Sequence, residues 1–96
     1  MLPGLRPGDR LRVDPAAYRR AMPQVGDIVV LADPQGRVRW LVKRVAVVDP
    51  DRGTVEVRGD AGDVARDSRQ FGPVGTGTIV GRAYRVYYPL ESRREL

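Results

Sequence analysis

Apolar, mostly β-branched residues come in short runs along this chain, each closed by Gly, Pro or Asp. That pattern predicts strands joined by tight turns. Arg10–Asp14 (RLRVD) alternates polar and apolar side chains behind the turn signal Pro7-Gly8-Asp9. Residues 15–21 open on a proline and allow one or two helical turns at most, before Pro23 and Gly26 end them. Residues 27–32 (DIVVLA) predict a second strand, and Asp33-Pro34-Gln35-Gly36 a turn. Residues 37–48 (RVRWLVKRVAVV) predict a long strand that Asp49-Pro50-Asp51-Arg52-Gly53 folds back into Thr54–Arg58 as a hairpin. Residues 59–75 read as loop and 76–88 as a last long strand, where Tyr84, Val86 and Tyr88 share a face suited to core packing. Residues 91–96 form a charged tail expected to fray. The elements together predict an all-β fold.

Composition narrows the partners. A chain of 96 residues with 42% hydrophobic and 30% charged content suits one globular domain. No apolar run approaches the ~20 residues of a transmembrane helix, so the sequence as it stands describes a soluble cytoplasmic protein. Without cysteine there is no thiol nucleophile and no zinc-thiolate site, and no cofactor or metal is expected. The net charge of +5 admits nucleic acid as a partner. The arginines are spread through strand-like segments, however, as solvated faces are, and the few aromatics form no stacking stripe.

Chemistry follows by elimination. There is no histidine, which removes the Ser-His-Asp triad and histidine-ligated metals, and no glycine loop leads from a strand into a helix to cradle phosphate. A general base must then be a carboxylate or a lysine. Of the 17 lysine and arginine residues, Lys43 alone is lysine. Arginine stays protonated at any usable pH, whereas a lysine in a dry pocket can lose its proton. On a strand, Leu41, Lys43 and Val45 share one face, and Trp40, Val42, Arg44 and Ala46 share the other. Both faces are largely apolar, so this strand is expected to be buried and Lys43 to be partly desolvated. A lysine that packs its stem on apolar surface and reaches water with its amine is the alternative.

Read in order, MLPGLRPGDRLRVD, VGDIVVL, VKRV, GDAGDVARDSRQFGPV and IVGRAYRVYYP resemble the successive boxes of type I signal peptidases, from Met1 to Pro89. The shorter proteases that mature nickel superoxide dismutase show the same order. Self-cleaving LexA-type peptidases share the early boxes but lack the DSR-x-FGPV segment. The resemblance implies a signal-peptidase-like peptidase domain over residues 1–90, a compact β-barrel of antiparallel strands with an extended hairpin. It also implies a serine endopeptidase that removes a leader or propeptide from a protein substrate.

In that family a serine hydroxyl attacks the substrate carbonyl and the lysine of the VKRV box is the general base, which places Lys43 in the base's position. Asp67, Ser68 and Arg69 match the box that shapes the site, and Gly59 and Asp60 match the Gly-Asp pair before it. Asp67 and Arg69 are expected to form a charge-assisted pair that pins the loop beneath the site. Two positions depart from the pattern: Ala61 stands where the family has Asn, and Ala65 where a serine often bonds the lysine. The nucleophile stands directly before the Met-x-Pro that Met1-Leu2-Pro3 matches, so these residues alone are expected to be inactive unless the true start lies upstream, where a membrane anchor would also lie. A catalytically inactive relative, or a small basic β-barrel that binds nucleic acid or protein, is the alternative.

Overall fold

The computed structural model describes residues 8–59 and 66–96. Among the described residues seven strands, β1 (Arg10–Asp14), β2 (Ile28–Ala32), β3 (Trp40–Asp49), β4 (Thr54–Arg58), β5 (Val74–Gly75), β6 (Ile79–Tyr88) and β7 (Arg94–Glu95), accompany one short α-helix, α1 (Ser68–Phe71), and two 3-10 turns. Every pairing is antiparallel, in the order β1-β6-β2-β3-β4-β5, with β7 added to β6. The fold is all-β as expected. Among the described residues the ladder is an open path, so the barrel-like sheet does not close through a β1–β5 pairing.

Two small cores form because alternate residues of a strand face opposite ways. On one side Val29, Leu31, Val45, Val55, Val57 and Val74 are buried, with Tyr18, Leu41 and Phe71 packed against them. Each such valine contributes about 1.5–3 kcal/mol relative to an exposed one. The second cluster joins Ile28 and Ala83 with Leu11, Val13, Val42 and Leu96. Between β1 and β6 there is no room for a side chain at Gly81. A Cβ there would stand 2.4 Å from the Asp14 carbonyl oxygen and 2.8 Å from Val13 Cγ1.

Four expectations change. The long central strand starts at Trp40 rather than 37, because the Asp33 carboxylate accepts the N–H groups of Gln35, Arg37 and Val38 and wraps those residues round itself. This strand also buries its two faces unequally: Lys43 and Val45 are buried, whereas on the other face Val42 is half-buried against the second cluster and Trp40 remains 47% exposed. A bulge lies between Val45 and Val47, where the ladder skips Ala46, so Val47 points outward and Val48 returns to the core. Residues 91–96 do not fray. They turn through Leu90–Ser92 into β7, and Leu96 donates its N–H to the Tyr84 carbonyl while packing on Ile28 and Ala83. Tyr84 and Tyr88 are exposed while Val86 is buried, so the three do not pack as one core face, and the Arg10 guanidinium covers the Tyr88 ring at 4.6 Å.

Candidate active site

Strand β3 carries Lys43 in the row of side chains that faces the larger core. It stands opposite Val29 of β2, itself fully buried, with Val45 two positions on. The residue keeps only 6% of its surface, and none of the ion pairs among the described residues includes it. Burial pushes the amine below the ordinary lysine value of 10.5; the nearby Asp67 charge opposes that, and the Arg66 and Arg69 charges assist it. Lys43 therefore gives up its proton more readily than an exposed lysine, which suits it to act as a base.

Asp67, Ser68 and Arg69 reach this site through the edge of β4. Strand β5 pairs with β4 only at Thr54 and Val55. Further along, the Val57 N–H is taken by Ser68 Oγ at 2.8 Å and the Gly59 N–H by Asp67 Oδ2 at 2.9 Å. Two side-chain oxygens thus replace the missing strand, leaving neither buried donor orphaned.

Asp67 is also the N-cap of α1. Its Oδ1 accepts the Arg69 N–H at 2.9 Å, while the Gln70 side chain accepts the Asp67 N–H at 2.9 Å, a reciprocal capping box. Arg69 closes the arrangement with a forked contact, Nε to Oδ1 at 3.0 Å and Nη2 to Oδ2 at 2.7 Å. Burial of Asp67 raises its carboxyl pKa. Arg69 and the Gly59 and Arg69 N–H groups more than reverse this, and the group rests well below the usual carboxylate range. Asp67 is fully buried, so it is a fixed anion beneath the lysine's face rather than a proton acceptor.

A second anion lies at the β2–β3 turn. Asp33 receives a forked contact from Arg66, Nη1 to Oδ1 at 3.1 Å and Nη2 to Oδ2 at 2.8 Å, and Arg66 Nη1 also donates to Gln35 Oε1 at 2.7 Å. Neither Asp33 nor Arg66 stands out in the sequence as a site residue. Their contact joins positions 33 residues apart, and no local pattern announces it.

The structure brings Lys43, Gly59, Asp67, Ser68 and Arg69 together; Asp60, Ala61, Ala65 and the Met1-Leu2-Pro3 segment lie outside the described residues. Both serines of the sequence lie among the described residues. Ser68 spends its oxygen on Val57, and Ser92 is buried in the turn that leads to β7. No group of metal-binding side chains occurs among the described residues, and no helix among them is long and apolar enough to cross a membrane.

Residues 1–60 match the family model described as signal peptidase, peptidase S26. Among curated proteins, the mitochondrial ATP-independent inner membrane protease subunit 1b of Arabidopsis thaliana is 34% identical, over 95% of this chain and 66% of its own length. The mitochondrial inner membrane protease subunit 2 of Schizosaccharomyces pombe is 34% identical over 67% of this chain and 44% of its own length. The ATP-independent subunit 2 of Arabidopsis thaliana is 37% identical over 62% and 38%. The chain thus spans between 38% and 66% of the length of these relatives. No solved structure matches it.

Proposed function

Because the chain belongs to the signal peptidase, peptidase S26, family, we propose that it carries the lysine half of a Ser/Lys endopeptidase site that removes a leader or propeptide from a protein substrate. The observation that carries this reading is Lys43 itself, a lysine with a lowered pKa, buried on a core strand beside a braced anionic loop. The nucleophile in this reading is a serine directly before Met1, the position that the resemblance to the family gives it.

The chemistry then balances without a cofactor. The neutral Lys43 Nζ takes the serine hydroxyl proton as the oxygen attacks the scissile carbonyl carbon. The ammonium so formed returns that proton to the departing amine nitrogen as the C–N bond breaks, leaving an acyl-serine. Water, deprotonated by the same amine, releases the carboxylic acid and restores the serine. Asp67, Ser68, Arg69 and Gly59 hold the floor of the site, and Asp60 belongs to the same support on the family pattern.

Relatives named as inner membrane protease subunits make a second peptidase chain and a membrane-anchored setting part of the proposal. The test uses a version of the chain with serine directly before Met1 and a leader-peptide substrate. Lys43→Arg keeps a long basic side chain but supplies no base, so cleavage is expected to disappear. Retained cleavage in the folded variant rejects the assignment.

A further inference from the structure

Asp67 and Ser68 tie the segment 66–68 to β4, through Gly59 and Val57. Arg66, the residue directly before Asp67, ties the same segment to Asp33 at the end of β2. In the sheet β3 lies between β2 and β4. A segment held at once beside the end of β4 and on the β2–β3 turn lies along the Lys43 end of β3, and the charges of Arg66, Asp67 and Arg69 act on that lysine.

We propose that the Asp33–Arg66 pair is a positioning device for the lysine, the second anchor of a strap drawn along β3 that keeps water from the Lys43 amine. The inference rests on the Ser/Lys reading for its purpose, but its geometry does not depend on catalysis. Neither partner is the base or touches substrate in that reading; they act through the segment they hold.

The anchor is built rather than incidental. The Asp33 side chain is fully enclosed, Arg66 keeps 23% of its side-chain surface, and the fork meets the carboxylate in two bonds. Asp33 in turn is oriented by three backbone N–H groups of its own turn, so the guanidinium docks on a rigid acceptor. Arg66 holds the Asp33 carboxyl well below the usual carboxylate range, and the pair persists through the pH range in which a lysine base would work. Arg66 also brings a positive charge toward Lys43, which favours the neutral amine. With the anchor cut, the strap is held by Asp67 and Ser68 alone and can lift from β3.

The single lysine makes the test direct. In protein grown with carbon-13-labelled lysine, the side-chain signal of Lys43 reports its own titration by NMR. Asp33→Asn and Arg66→Gln are each expected to move that titration upward, toward the ordinary lysine value. Gly81→Ala, which loosens β1 against β6 away from this strap, is expected to leave it in place. Titration unchanged in both anchor variants overturns the proposal, as does an equal rise in Gly81→Ala, which would make the effect general loosening. If both anchor variants unfold, the pair serves the fold as a whole and the positioning role is rejected. None of these readouts needs cleavage. An anchor effect without peptidase activity would reject the Ser/Lys reading and keep the strap, and the converse result would do the reverse.

Discussion

Replacing Ser68 by alanine tests whether side chains stand in for a strand at the edge of β4. The substitution removes one oxygen, and with it the acceptor of the Val57 N–H at 2.8 Å. Val57 has no exposed surface, so water cannot take over the donor without opening the contact between α1 and β4. Leaving a buried N–H unpaired costs about 1–3 kcal/mol, and in a domain of this size each kilocalorie lowers Tm by roughly 4–8 °C. A fall of about 8–16 °C follows from a mid-range cost of ~2 kcal/mol. Thermal unfolding followed by circular dichroism measures it, and amide exchange adds a local signature: Val57 should exchange faster relative to Val45 on the neighbouring strand. Thr78→Ala is the matched control, because its hydroxyl donates to the Gly75 carbonyl at 2.7 Å in an exposed position. That loss should stay within about 0.5 kcal/mol. Equal losses in the two variants, with Val57 exchange unaltered, would refute the reasoning, since the burial of the donor would then be of no consequence.

Lys43→Met should stabilise the protein at neutral pH, because the folded state depresses the lysine's pKa and so disfavours its charged form. Between the folded pKa and 10.5 the unfolded chain binds the extra proton, and the stability of the native protein relative to the variant rises with pH. The gap measured by urea unfolding should narrow as pH rises from the folded pKa toward 10.5; a pH-independent gap contradicts the burial argument. Asp67→Asn should flatten the acid limb of stability. The native carboxyl lies below the usual range, so it contributes stability above about pH 4 that is lost as pH falls further. Acid titrations of native and variant protein that run parallel below that pH would count against it. Gly81→Ala should lose about 1–3 kcal/mol, because β1 must move away from β6 to admit a Cβ 2.4 Å from the Asp14 carbonyl oxygen. Chemical denaturation gives the value, and a neutral result would mean that the two strands are not held so closely.

Local alternation made β1, β2 and the β3–β4 hairpin legible, and the scarcity of lysine made Lys43 legible against its arginine background. What alternation could not convey was the bulge at Ala46. In the run Val45-Ala46-Val47-Val48 every residue is apolar, and only packing against β4 decides which ones turn inward. Trp40 was equally opaque, because an aromatic suits an exposed strand face as well as a core. Helix α1 did carry a local sign, the Asp67…Gln70 spacing of a capping box, inside a stretch that its glycines made read as loop. The return of residues 91–96 depended on Leu96 finding Ile28 and Ala83 across the sheet, and the strap on Arg66 finding Asp33. Both are long-range matches between single residues, and a sequence has no periodicity with which to express them.

The cost of Lys43 and its use have one origin. An arginine at this position would keep its charge, so burial could only destabilise it; a methionine would pack without cost and hold no proton. Lysine is the side chain for which desolvation frees a neutral amine, because its charge can leave. The surrounding charges act on that exchange in both directions: Asp67 relieves it, and Arg66 and Arg69 sharpen it. Among the described residues Asp67 forms no salt bridge with Lys43; its oxygens accept from Arg69 and the Gly59 N–H instead. Arg66 is likewise committed to Asp33. Stabilisation on removing Lys43 reads the free energy by which this pocket disfavours a charged amine, and loss of cleavage on making it arginine reads whether that amine serves as the base. Stabilisation together with retained cleavage would mean that the lysine is buried without serving as the base, and its place in the proposed catalytic pair would have to be given up.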